Sequence, residues 1–162
     1  MNNKLQTIIK YKIMRTVANI LMNKPPVFNF IDPDAKVIAA LQLMNSVNLS
    51  YLVVKREDAF HGIFSERDYS RNVILKGLHS DTCSVKEVMS HSLPVIGMQE
   101  TVEQCMNLLN IHKTRYLIVF DDQEFKGVVT INDVLREAIE NKEMVFDKLM
   151  LRETAEMQDK IF

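Results

Sequence analysis

The chain contains one of its own segments twice. Displacing the sequence by 65 residues lays the segment Val37 to Arg71 over Val102 to Arg136 without a gap, and ten of the thirty-five pairs are identical: Val37/Val102, Leu43/Leu108, Asn45/Asn110, Tyr51/Tyr116, Leu52/Leu117, Val54/Val119, Phe60/Phe125, Gly62/Gly127, Asp68/Asp133 and Arg71/Arg136. Upstream, NILMNKPPVFNF matches KEVMSHSLPVIG at a displacement of 67, which needs only a two-residue length difference in the loop near Asp32 to Lys36. The repeating unit is therefore about sixty residues, and the fold must be one that two copies of one unit can build.

Each copy carries the same order of signals. Val37, Ala40, Leu41 and Met44, like Val102, Cys105, Met106 and Leu109, recur at helical spacing and predict a helix with one apolar face. Thr101, with Gln104 three residues on, has the form of a capping box. Two β-rich runs follow, Tyr51 to Val54 with Phe60 to Phe64, and Tyr116 to Phe120 with Phe125 to Val129; the four or five polar residues between them suit an antiparallel hairpin. A last helix opens near Ser65 and Thr130, and short extended pieces at Val27 to Phe30 and Pro94 to Ile96 precede each copy. The order is strand, helix, strand, strand, helix. One copy cannot cover both its sheet and its helix faces, so two copies are expected to stack through their sheets as a pseudo-twofold pair with two related clefts.

Outside the repeats, Leu5, Ile8, Ile9, Ile13 and Val17 suggest a short amphipathic helix, and Ile139, Phe146, Met150, Met157 and Ile161 fall at helical spacings among charges. The expected division is a flanking helix at 1–15, repeats at 16–80 and 81–140, and a helical tail at 141–162. That tail is expected to pack on the core or a second subunit, because Phe146, Leu149, Met150, Met157, Ile161 and Phe162 would otherwise expose apolar surface.

The formal net charge of −1 argues against a broad basic footprint for nucleic acid. Charge is polarised nonetheless: residues 1–24 carry five Lys or Arg and no acid, and 137–162 carry seven Asp or Glu against four Lys or Arg. No apolar run approaches the ~18 residues of a membrane span, and no secretory signal is evident, which suggests a cytoplasmic protein with no membrane or nucleic-acid partner. Cys83 and Cys105 stand in no paired spacing and are expected to be buried thiols; the histidines at 61, 79, 91 and 112 are scattered and expected at the surface, so no metal is expected to be required.

The residues with chemical promise are GIFSERD, Gly62 to Asp68, and GVVTIND, Gly127 to Asp133. Each sets Ser65 or Thr130 and then Asp68 or Asp133 at a strand-to-helix turn. A carboxylate can accept both hydroxyl hydrogens of a ribose diol, while a hydroxyl and free N–H groups at a helix start can face a phosphate. The glycine could let a planar base approach the strand. The same spacing is also a helix-capping signature, and the two roles are compatible. Arg67 and Arg115 could add charge toward phosphate, or pair with a nearby acid; Arg71 and Arg136, one helical turn beyond the carboxylates, read as structural partners.

The repeat, the GIFSERDYSR and TVEQCMNLL segments, and TRYLIV followed by GVVTINDVL resemble tandem CBS domains, named after cystathionine β-synthase, over about residues 16–140. The resemblance implies an α/β chain of the α+β type: two βαββα units forming a disc-like module that often dimerises and commonly binds adenosine-containing ligands in clefts between the repeats. It is particularly similar to small stand-alone bacterial CBS-pair proteins. It implies ribose binding by Asp68 and Asp133, with Ser65 and Thr130 as hydroxyl partners. The family often has a proline in the strands that here read Tyr51-Leu52-Val53-Val54 and Tyr116-Leu117-Ile118-Val119, and neither copy has it. Ser50 stands opposite Arg115 and Arg67 opposite Asn132, so the two phosphate environments cannot be identical.

The resulting expectation is a ligand-sensing homodimer that binds AMP, ADP, ATP, NAD(H) or S-adenosylmethionine and signals to a regulated partner protein. The rival is a dimerisation or docking module with degenerate ligand sites. An enzyme is disfavoured: no catalytic motif is present, and Asp68 and Asp133 occupy equivalent places in separate clefts, whereas an acid/base dyad needs two carboxylates with different surroundings at one place.

Overall fold

A computed structural model of the chain describes residues 15–24 and 29–140. The flanking segment before residue 15, Val27 and Phe28, and the tail at 141–162 lie outside the described residues. The element order is α1 (Val17–Asn23), β1 (Phe30–Ile31), α2 (Val37–Val47), β2 (Tyr51–Arg56), β3 (Ala59–Ser65), α3 (Glu66–Asp68) running into a π-helical turn (Tyr69–Ile74), α4 (Val85–Val88), β4 (Val95–Ile96), α5 (Val102–Ile111), β5 (Tyr116–Asp121), β6 (Glu124–Thr130) and α6 (131–140). Two three-stranded sheets result, ordered β1-β2-β3 and β4-β5-β6. The fold is thus α+β, with the expected unit present twice.

The strands follow from the β-branched and aromatic runs, but they pair further than the polar residues between them suggest. Lys55 lies opposite Phe60 and Arg56 opposite Ala59, so two residues rather than four or five turn the first hairpin. In the second hairpin the connecting Asp122 and Gln123 both take positive φ, the geometry whose twist matches that of the strands it joins. The short leading strands run parallel to the hairpins, Phe30 opposite Val53 and Val95 opposite Ile118.

Helix α5 opens with the expected capping box: the Thr101 N–H donates to Gln104 Oε1 at 2.7 Å, and the Gln104 N–H to Thr101 Oγ1 at 3.2 Å. Its buried stripe is Val102, Cys105 and Leu109. Met106, expected on the apolar face, is instead 42% exposed, because its position lies at the edge of the stripe that meets the sheet. Cys83 and Cys105 are both buried, and burial pushes the Cys105 thiol up to about 11.

The described residues group into two compact units. One unit takes residues 15–24 with 94–122 and 126–140; the other takes 29–93 with 123–125. In the first, Val17 and Ile20 of α1 join Ile96, Val102, Cys105, Leu109, Leu117, Val119, Val129 and Val134 in one core. In the second, Val85 and Val88 of α4 join Val37, Ala40, Met44, Leu52, Val54, Phe64 and Val73. Matching backbone bonds fix both arrangements. Val17 and Ala18 donate to the Glu100 and Met98 carbonyls, as Val85 and Lys86 donate to those of Ala35 and Pro33; in return Val102 donates to Arg15, as Val37 does to Cys83. Each copy's core is therefore completed by the short helix that the chain places before the other copy.

At the surface of the second unit, Asp32 accepts two bonds from Arg56, at 3.1 and 2.9 Å, and Asp34 pairs with both Arg56 and Lys86. The Arg56 guanidinium, helped by the Asp34 N–H, holds the Asp32 carboxyl at about 2, below its ordinary 3.8. A carboxyl held down in the folded state stabilises above its unfolded value and loses that contribution as pH falls through its folded one. The melting-temperature difference between the wild type and Arg56→Ala should accordingly be constant above about pH 5, shrink toward pH 2, and weaken in salt. A difference independent of pH over that range would contradict the pairing.

Candidate functional site

In both copies the last hairpin strand delivers its hydroxyl residue directly to a helix start. Ser65 ends β3 in an extended conformation, and its N–H and Oγ both donate to Asp68 Oδ2, at 2.8 and 2.6 Å, while the Asp68 N–H donates back to Ser65 Oγ at 3.3 Å. Thr130 and Asp133 repeat the pattern at 2.8, 2.8 and 3.2 Å. Both carboxylates are 6% exposed. The sequence motif is thus a reciprocal capping box in each copy, and each hydroxyl hydrogen is committed to its own carboxylate.

The helix starts are further closed by backbone. The Glu66 N–H donates to the Ser50 carbonyl at 3.1 Å, and the Ile131 N–H to the Arg115 carbonyl at 3.0 Å. Arg115 is therefore brought beside the second motif, where Ser50 stands beside the first. The side chains of Arg67 and Arg115 are exposed, and among the described residues neither pairs with a carboxylate. Arg136 lies 3.9 Å from Asp133 Oδ1 with its side chain largely exposed.

Two further residues complete the carboxylates, and the motif does not contain them. Ser90, just past α4, donates its hydroxyl to Asp68 Oδ1 at 2.6 Å. Lys24, at the end of α1, donates from Nζ to Asp133 Oδ2 at 2.7 Å and to the Val128 carbonyl at 2.9 Å. The match at a displacement of 67 pairs Ser90 with Asn23, the neighbour of Lys24, and was the one signal in the sequence that could have found them. Around Lys24 a cleft of about 130 Å³ is lined by Ile20, Asn23, Asp133, Arg136, Glu137 and Glu140. The buried Glu137, also in the lining, accepts from Arg15 at 3.0 and 3.3 Å and from Asn23 at 3.5 Å, which ties the α1 segment to α6.

Gly62 lets the Ser90 segment approach the strand backbone closely. Ile63 and Ser90 exchange two backbone bonds of 2.9 Å, and a Cβ on Gly62 would stand 2.4 Å from the Ser90 carbonyl oxygen. Gly62→Ala should cost about 1–3 kcal/mol as the strand and the Ser90 segment move apart. Chemical denaturation checks the loss, and unchanged stability would mean the two segments separate freely.

The four histidines are exposed, and among the described residues no group of three or more His, Cys, Asp or Glu could hold a metal ion. No helix among them is long and apolar enough to cross a membrane.

The CBS-domain family model matches residues 17–74 and again 85–140, both copies and well over half of the chain. The chain belongs to the CBS-domain family. Among solved structures, the CBS pair is similar to the CBS-domain protein NE2398, at 35% identity and TM-score 0.71, covering 78% of this chain and 98% of that one. It is also similar to a Burkholderia ambifaria protein with CBS domains assigned to signal transduction, at 30% identity and TM-score 0.72, covering 78% and 95%. The mitochondrial CBS domain-containing protein CBSX3 of Arabidopsis thaliana is 31% identical over 111 residues, 65% of this chain; the chain spans only 54% of that protein's length. CBS-pair proteins of this kind are regulatory or signal-transduction modules.

Proposed function

We propose that this CBS pair is a cytoplasmic ligand sensor that binds adenosine-containing nucleotides (AMP, ADP, ATP, NAD(H) or S-adenosylmethionine) at the Asp68 and Asp133 motifs and passes occupancy to a regulated partner protein. The observation that carries this reading is the buried carboxylate at the same helix start in both copies. A carboxylate offers about four lone-pair sites. Three donors reach Asp68, and exchanging the Ser90 hydroxyl for a ligand hydroxyl would free Oδ1 for a diol. Arg67 and Arg115, exposed near the two helix starts, are suited to a ligand's phosphates. The signal is differential affinity: a ligand shifts an equilibrium only as far as it prefers one arrangement.

Titration calorimetry with AMP tests this. Asp68→Ala and Asp133→Ala should each weaken one site about ten- to hundredfold, the equivalent of one lost charged hydrogen bond of about 1.5–3 kcal/mol. Wild-type affinity and stoichiometry in both variants, with only a lowered melting temperature, would leave the motif as a cap.

A second reading, a homodimerisation or docking module, rests on a different observation. Met106, Leu109, Ile131, Val134 and Leu135 line an apolar groove of about 290 Å³ between α5 and α6. Met106, Ile131 and Leu135 are exposed there, a cluster of the kind that marks an association surface. Self-association through it is compatible with ligand sensing.

A further inference from the structure

The repeat gives both motifs the same carboxylate, but the two carboxylates are not closed to the same extent. At Asp68, Oδ2 accepts the Ser65 N–H and hydroxyl, and Oδ1 accepts the Ser90 hydroxyl at 2.6 Å. At Asp133 the Thr130 N–H, the Thr130 hydroxyl and the Lys24 ammonium all converge on Oδ2. Among the described residues no hydrogen bond reaches Asp133 Oδ1; Arg136 Nη1 stands 3.9 Å away on a side chain that is 62% exposed. We infer that the second motif, open at Oδ1, is the primary site for a ligand's diol, and that the Ser90 hydroxyl is what closes the first. The inference rests on the proposed adenosine reading and deepens it.

Each carboxylate oxygen has about two lone-pair sites. Asp68 Oδ1 already gives one to Ser90, so a vicinal diol can place both its hydrogens there only by displacing the serine hydroxyl. The Ser90 backbone is fixed by the two 2.9 Å bonds it exchanges with Ile63, so the hydroxyl must rotate away and give up a bond to a carboxylate, which is of the stronger kind. Asp133 Oδ1 has both sites free, and a diol adds to it with Lys24 left in place. The difference traces to one matching position. A displacement of 67 sets Asn23 against Ser90, and Asn23 turns its amide to Glu137 Oε1 at 3.5 Å instead of to the carboxylate. Asp133 Oδ1 is also reachable: the residue is only 6% exposed, yet among the described residues the one fully buried side-chain polar atom without a partner is Asn29 Nδ2, so solvent touches this oxygen. Asp133 and Arg136 both line the cleft of about 130 Å³ beside α1, and the other carboxylates of its wall, Glu137 and Glu140, are paired with Arg15. The diol therefore goes to Asp133 first, and Asp68 accepts one only when the Ser90 hydroxyl turns away.

The test is calorimetric titration of the full chain with adenosine, which has the diol and no phosphate, with each site read in the absence of the other. Asp68→Ala protein, which keeps the second motif, should bind adenosine about tenfold more tightly than Asp133→Ala protein, which keeps the first, a difference the size of one hydrogen bond. Adding Ser90→Ala to Asp133→Ala protein should recover that difference, and the gain should vanish with dideoxyadenosine, which lacks both hydroxyls. Should the alanine variants fold poorly, Asp68→Asn and Asp133→Asn serve in their place, and Ser90→Cys, a weak donor, should act in the same direction as Ser90→Ala. Equal affinities, tighter binding at Asp68, or no gain from Ser90→Ala overturns the inference. An equal gain with dideoxyadenosine also overturns it, because Ser90 would then act by bulk and not through the carboxylate. Failure of the adenosine reading is separate: it shows as no binding of adenosine or AMP by the wild type or by either carboxylate variant, and takes the inference with it.

Discussion

Ile20→Ala is expected to lower the unfolding free energy by about 2–5 kcal/mol, the range for removing a large aliphatic side chain from a closed core. Ile20 is almost fully buried in a core whose other buried members, apart from Val17 of its own helix, run from Ile96 to Val134 and so come from the second copy and the short strand leading into it. The loss should therefore have an address. Amide hydrogen exchange should accelerate through β4, α5 and β5, residues that lie 75 or more positions further along the chain than Ile20, while protection in β2 and α2 falls much less. Acceleration concentrated in residues 30–75 would mean that α1 belongs with the copy it precedes, and would overturn the division of the core described above.

Phe64→Ala should be at least as costly, about 3–5 kcal/mol, by the same transfer and cavity terms applied to a larger side chain. Phe64 is completely buried in the core of the other unit, among Leu52, Val54, Val37 and Val88, and it immediately precedes Ser65. The cavity would open beside the residue whose N–H and hydroxyl hold Asp68, so ligand affinity at the first motif should fall along with stability. Phe64→Leu, which keeps most of the volume, should cost under about 1.5 kcal/mol. Denaturant titration of the two variants reads the difference; equal and small losses would show that the site collapses around the missing ring.

Much of this was legible in the sequence because it is local. The displacement of 65 residues revealed two copies, since a duplicated unit keeps its apolar positions and turn residues in register. Tyr51–Val54 and Tyr116–Phe120 read as strands from β-branched and aromatic side chains, and Thr101 with Gln104, like Ser65 with Asp68 and Thr130 with Asp133, read as helix starts because a cap spans only three residues. The hairpin turns were misjudged in length, because Lys55, Arg56 and Ala59 carry no strand signal of their own and pair only as an extension of the ladder already formed. Met106 was misplaced because helical spacing gives a stripe but not its edge.

What the tertiary structure alone decided is which short helix completes which core. Nothing in the residues of α1 or α4 says which copy each will cover: both open on a hydroxyl cap, Thr16 and Ser84, and each buries two apolar side chains. The choice is made by backbone bonds and burial across long stretches of chain, where Val17 meets Glu100 and Val85 meets Ala35. That choice sets a hydroxyl on Asp68 and an ammonium on Asp133. Sequence determines the two carboxylates and their caps through contacts three residues apart, whereas the partner that makes them unlike is separated by 22 residues in one copy and 109 in the other, a distance at which only the packed core fixes who meets whom.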